Sequence, residues 1–103
     1  MLMSFTERVH LGGLLPIRGR LADMRLRKAF LEKIQLTQEE VEKYHVRRDE
    51  ATRMTLWDKD APTIEVDIKD HERVWLRNVI NEADRQGLIM PDALDICERI
   101  LGD

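Results

Sequence analysis

The chain is short of the residues that carry most active-site chemistry. It holds one cysteine, Cys97, among 103 residues, which excludes an intrachain disulfide framework and fits a reducing cytosol. Aromatics make up only 5%, so Phe5, Phe30, Tyr44, Trp57 and Trp75 must each contribute heavily to any core. No apolar run approaches the roughly 20 residues needed to span a bilayer. The opening Met1-Leu-Met-Ser-Phe-Thr-Glu-Arg8 lacks the basic-then-apolar order of a secretory signal. His10, His45 and His71 stand far apart, with no partner at metal-ligand spacing. Gly12-Gly13 follows a helical stretch, and no Gly-Lys-Ser/Thr accompanies it, so it is not a phosphate loop. Asp58-Lys-Asp60 begins like an oxygen-ligand calcium loop, but the central glycine and closing glutamate are missing and Pro62 interrupts it. No catalytic, cofactor-binding or metal residue is therefore assigned, and an enzyme is not expected.

What is present is charge, segregated by position. Residues 1–36 carry seven cations and three anions, whereas residues 37–103 carry ten cations and seventeen anions. A head of +4 is joined to a remainder of −7, giving the overall −3. A molecule with pI near 5.6 is not expected to bind nucleic acid by net charge. Within one compact domain, expected to span residues 1–103, the two halves meet, so part of the opposite charge should pair internally.

Local signals divide the chain into elements. Ser4-Phe-Thr-Glu7 reads as a capping box opening a first helix, with Phe5, Val9, Leu11 and Leu15 apolar, that Leu15-Pro16 ends. A second helix is expected over about Leu21–Lys33, with Ala22, Leu26, Ala29, Phe30 and Lys33 or Ile34 inward. Leu36-Thr37-Gln38-Glu39-Glu40-Val41 combines a second capping box with a hydrophobic staple and opens a short third helix. Arg53–Trp57 and Thr63–Ile68 then alternate in the strand period, with Asp58–Pro62 as the turn between them. They read as an antiparallel hairpin with Met54, Leu56, Ile64, Val66 and Ile68 toward the core. Val46–Glu50 either extends it or adds a short strand. Asp70 is placed as N-cap of a long helix, His71–Gln86, with Trp75, Leu76, Val79, Ile80 and Ala83 on its apolar stripe. Gly87 is its C-terminal cap, and Pro91 opens a last helix with Ala93, Ile96, Cys97, Ile100 and Leu101 inward. The expected fold is α+β: a mainly helical single domain with one antiparallel β-hairpin, in the order α-α-α-β-β-α-α.

Two surfaces are candidates for binding. If Leu56 faces the core, alternation puts Trp57 on the other face of the hairpin with Glu65 and Asp67, a charge-rimmed tryptophan suited to a protein interface. The competing reading folds Trp57 over the sheet edge or beneath the first helices. Helix, helix, short helix, hairpin is also the order of a winged helix, for which Arg18, Arg20, Arg25, Arg27, Lys28, Arg47 and Arg48 would be the nucleic-acid contacts. The helix that would enter the groove, Gln38–Tyr44, carries three carboxylates that would face phosphates, which disfavours that reading.

Leu14-Leu15-Pro16 with Gly19 behind it, Leu36-Thr37-Gln38-Glu39-Glu40, Trp57-Asp58, Ile64-Glu65-Val66 and Gly87-Leu88 between two closing helices form a pattern over nearly the whole chain. In these features the chain resembles a group of small proteins encoded in bacteriophage and prophage genomes. It departs from them in a longer Arg47–Thr52 stretch and in Met90-Pro91, where a capping Thr is more usual. The resemblance lends no site residue. It implies a small accessory or regulatory protein in the cytoplasm of a bacterial host. The resulting expectation is a non-enzymatic module that binds a protein, a copy of itself included, with no cofactor, no small-molecule substrate and no membrane partner.

Overall fold

A computed structural model of the chain describes residues 1–58 and 62–102. Strand β1 (Leu2–Met3) leads into α1 (Phe5–Leu14), followed by α2 (Leu21–Ile34) and the short α3 (Gln38–Lys43). Three further short strands follow, β2 (Arg47–Arg48), β3 (Thr55–Leu56) and β4 (Ile64–Glu65). Helix α4 (Asp70–Arg85), a 3₁₀ turn (Pro91–Ala93) and α5 (Leu94–Gly102) complete a mainly helical α+β domain. Helix α1 is the hub: α2, α4, α5 and the 3₁₀ turn all pack against it.

The helix ends follow local chemistry. Ser4 Oγ accepts from the Glu7 amide while Glu7 Oε1 accepts from the Ser4 amide, and Thr37 and Glu40 repeat the arrangement at α3. At the far end of α4, Gly87 adopts φ +69°; its amide donates to the Asp84 carbonyl and the Leu88 amide donates to the Ala83 carbonyl. This Schellman pair needs the left-handed backbone that glycine supplies without strain. The N-cap of α4 is Lys69, one residue before the expected Asp70, because Glu72 reaches back to the Lys69 amide at 3.0 Å. Asp70 lies in the first turn instead.

Strand pairing departs from the expected hairpin. The segments 53–57 and 63–68 do not pair with each other. Instead β3 pairs antiparallel with β2 (Arg47 opposite Leu56, Arg48 opposite Thr55), and β4 pairs antiparallel with β1 (Leu2 opposite Glu65, Met3 opposite Ile64). Both choices have local causes. Asp49 closes the 49–54 turn, its carboxylate accepting from the Ala51 amide and the Thr52 hydroxyl, while Arg53 at φ +62° turns the chain back. Strand β4 is taken by the N-terminus, whose ammonium donates to the Val66 carbonyl at 2.8 Å and to Glu65 Oε1 at 2.6 Å. Most of the Asp58–Pro62 turn, Lys59 to Ala61, lies outside the described residues.

With β3 paired upstream, its faces invert. Met54 is 53% exposed and Leu56 is also exposed, whereas Thr55 and Trp57 are half-buried. Ala22, Ala29 and Leu101, expected inward, are exposed as well. On α2 the buried stripe is Phe30 and Ile34, flanked by half-buried Leu26 and Leu31, so the small alanines fall on the solvent side. The main core gathers Met3, Leu11, Phe30, Leu76, Ile80, Ile96 and Ile100, and a smaller cluster joins Phe5 and Tyr44 to Val9, Leu36, Val46 and Trp57.

Two charged side chains are buried in this packing, Arg8 at 4% exposure and Glu72 at 2%. Arg8 Nε donates to the Ile34 carbonyl and Nη2 to the Gln35 carbonyl, each at 3.0 Å, while Nη1 and Nη2 grip the two Glu40 oxygens at 2.8 and 3.0 Å. Glu72 Oε1 accepts from Lys33 Nζ at 2.6 Å, and Lys33 also donates to the Asp67 carbonyl. The Arg8 guanidinium, with help from the Thr37 amide, outweighs burial and holds the Glu40 carboxyl at about 2, down from its ordinary 4.5.

Two outcomes follow. Arg8→Met leaves Glu40 and two helix-end carbonyls without their donor and should cost about 3 kcal/mol in urea unfolding. The Arg8→Met/Glu40→Met double variant should recover part of that, and a single-variant loss below about 1 kcal/mol would contradict the clamp. Glu40 binds its proton more readily unfolded than folded, so its contribution is complete above about pH 5 and is lost as pH falls toward 2. That depression corresponds to about 3 kcal/mol. Glu40→Gln should flatten that acid limb of the stability–pH curve while lowering stability at neutral pH.

Candidate functional site

Two open depressions meet over the C-terminal turn of α1. The first, about 530 Å³, is lined by Val9 and His10 of α1, by Met54, Leu56 and Trp57, and by Leu88, Met90 and Asp92. The second, about 740 Å³, runs from Leu15, Ile17 and Arg18 to Trp75, Val79 and Ala83 of α4. Gly13, Leu14 and Leu88 border both, so they form one continuous trough. Its polar contribution is small. His10 Nε2 stands 3.5 Å from Asp92 Oδ2 in the first half, and Arg18, Asp23 and Glu82 edge the second.

Sequence builds this trough from chain reversals. Leu15-Pro16 stops α1, exposing its last turn. The Gly87 cap turns the chain so that Leu88 and Met90 arrive beside that turn, and Pro91 starts the 3₁₀ turn that seats Ala93 against α1. The β2–β3 hairpin adds Met54 and Leu56 to the lining. The lining of both depressions includes Gly13, within α1, where glycine costs roughly 0.5–1 kcal/mol relative to alanine. A side chain there would meet nothing within 4 Å, so packing within the fold does not require the glycine.

The surface expected around Trp57, Glu65 and Asp67 does not assemble, because β3 and β4 belong to different sheets. Trp57 packs edge-on against Phe5 with ring centroids 4.9 Å apart, and Phe5 in turn meets Tyr44 at 6.1 Å. It is thus a member of the small core that also presents to the trough, not an exposed anchor. Glu65 is engaged by the N-terminal ammonium, and Asp67 is exposed beside Lys69, with Nζ at 3.5 Å.

The basic candidates divide as well. Asp58 bridges Arg47 Nη1 and His45 Nδ1, each at 2.8 Å, so Arg47 is already neutralised; Arg47 first, then His45, holds the Asp58 carboxyl below its ordinary range. Arg48 is exposed across the hairpin. Arg18, Arg20, Arg25 and Lys28 are exposed at and after the start of α2, and Arg27 is half-buried with Nε lacking a hydrogen-bond partner. The potential metal ligands are dispersed: His10 lies by Asp92, His45 by Asp58, and His71 is exposed on α4. Cys97 is buried within the core, and burial pushes its thiol up from the usual value. Among the described residues no three His, Cys, Asp or Glu side chains gather in metal-binding geometry.

Met54, Leu88, Met90 and Gly13 were not singled out by the sequence as site residues. The available signals were Gly12-Gly13 inside a helical pattern and apolar Leu88 and Met90 between two breakers, Gly87 and Pro91. No family model matches the chain, and no curated protein or solved structure is similar to it.

Trp57→Ala removes the edge-on partner of Phe5 and should lower stability by about 2 kcal/mol, or roughly 10 °C in Tm for a chain of this size. An unchanged melting temperature would return Trp57 to the role of an exposed anchor.

Proposed function

We propose that this chain is a small non-enzymatic accessory module of the phage type, acting in a bacterial cytoplasm by seating a segment of a partner protein in the trough over α1. The observation that carries the reading is Gly13: an exposed helix glycine that the chain's own packing does not need, bordering both halves of a largely apolar trough. Glycine at such a place lets another backbone approach closely. Met54 and Met90 in the lining are unbranched and can repack around an incoming surface. An open trough with few converging polar groups suits an apolar helix face better than a small molecule, which would need those groups to orient it.

A winged-helix nucleic-acid regulator is the weaker reading. Arg47 is committed to Asp58, and the short α3 carries Glu39, Glu40 and Glu42, of which Glu40 is held by Arg8.

A photo-crosslinking residue placed at Met54 or Met90 should give a discrete protein adduct in cells, and Gly13→Phe, which sets a bulky side chain where a Cβ meets nothing within 4 Å, should abolish it. Circular dichroism should show Gly13→Phe folded. Equal labelling from a probe at Glu98, exposed on α5 outside the trough, would overturn the proposal.

A further inference from the structure

The seven cations of residues 1–36 have two fates. Arg8 and Lys33 are consumed inside the fold by Glu40 and Glu72. The other five, Arg18, Arg20, Arg25, Arg27 and Lys28, form no ion pair with any described residue. They are consecutive among the chain's basic residues, and between Arg18 and Lys28 the only anion is Asp23. On α2, Leu21, Arg25 and Lys28 follow at three- and four-residue spacing and share the outer face, with Glu32 one turn beyond. The exposed Ile17, Arg18 and Arg20 just before the helix continue this ridge along the chain, and Ile17 and Arg18 also border the trough. The ridge's two aliphatic side chains are the most exposed large hydrophobic residues among those described: Ile17 at 85% and Leu21 at 67%.

We infer that this ridge, Ile17 to Arg20 with the outer face of α2, is a peripheral docking site for an anionic lipid surface. The two kinds of side chain identify the partner together. A phosphate backbone would satisfy the cations but leave Ile17 and Leu21 in water. The boundary between headgroups and acyl chains takes both, cations among anionic headgroups and aliphatic tips just beneath them. The overall charge of −3 means the ridge acts locally, within a Debye length of about 10 Å at 0.1 M salt. The absence of a bilayer-spanning segment, on which the expectation of no membrane partner rested, does not bear on such a surface contact. The ridge meets the trough at Ile17 and Arg18, but its cations Arg20, Arg25 and Lys28 and its Leu21 lie outside the trough lining, so the two surfaces can be tested separately.

Co-sedimentation of the intact chain with phosphatidylcholine vesicles, with and without an equal part of phosphatidylserine, tests the assignment. Binding should require phosphatidylserine and disappear at high salt. Arg25→Gln with Lys28→Gln should weaken partitioning about 25-fold, at roughly fivefold per cation. Ile17→Ser with Leu21→Ser should weaken it at least tenfold with charge unchanged. All four side chains lie outside the core, so circular dichroism should show both variants folded. Gly13→Phe should bind vesicles normally, which separates this test from that of the trough. Equal binding to neutral vesicles, or no sedimentation at low salt, would overturn the inference. So would capture by duplex DNA that survives the Ile17/Leu21 change while vesicles are ignored.

Discussion

Three glutamates at the third position of their helices tie distant elements together, and the Arg8–Glu40 clamp joins the most of them. In α1, α3 and α4 the residue at that position, Glu7, Glu40 or Glu72, turns one oxygen back to the N-cap amide. Each also takes a cation from a distant element: Arg99 to Glu7, Arg8 to Glu40, Lys33 to Glu72. A carboxylate at a helix N-terminus is already favoured by the exposed amides and the helix dipole. The remote cation then makes the cap a tertiary joint. Arg8 does most, because its remaining donors satisfy two carbonyls at the C-terminal end of α2, so α1, α2 and α3 meet at one guanidinium. For Glu7 and Glu72 burial pushes the carboxyl up, and the N-cap amide and partner cation more than offset it, leaving both below the ordinary range.

These joints explain the charge pattern of the chain. Arg8 and Lys33 belong to the basic head, Glu40 and Glu72 to the acidic remainder, so part of the positional segregation is complementarity between elements that must dock. The pairing is incomplete in an ordered way. Arg8 and Lys33, turned toward the interior, are neutralised; Arg18, Arg20, Arg25 and Lys28 are left to solvent, and Arg27 is half-buried without an ion pair among the described residues. Segregation along the sequence thus resolves into an internal half and a surface half.

Much of the secondary structure was legible because its causes are local. The Ser4 and Thr37 capping boxes, the Leu15-Pro16 stop, the stripe on α4, the Gly87 cap and Pro91 each act within a few residues. Strand partnership was not legible. The alternation in 53–57 and 63–68 identifies strands but carries no address, and a two-residue ladder is decided by whichever partner the neighbouring turns deliver. The Asp49 turn delivered β2 to β3, and the anchored N-terminus delivered β1 to β4. That one difference moved Met54 and Leu56 outward and brought Trp57 against Phe5, so it dissolved the expected binding face and created part of the trough lining.

What the sequence determined by itself was where helices begin and end to within about a residue, most of the apolar stripe of α4 and α5, and the sign of charge each segment carries. Short-range steric and hydrogen-bonding preferences govern all of these. Only the tertiary structure decided which carboxylate meets which cation, that Arg8 and Glu72 would be buried, and that Gly13, Leu14 and Leu88 would lie together. Those outcomes depend on contacts between residues tens of positions apart, where pattern in one segment holds no information about the segment it will touch.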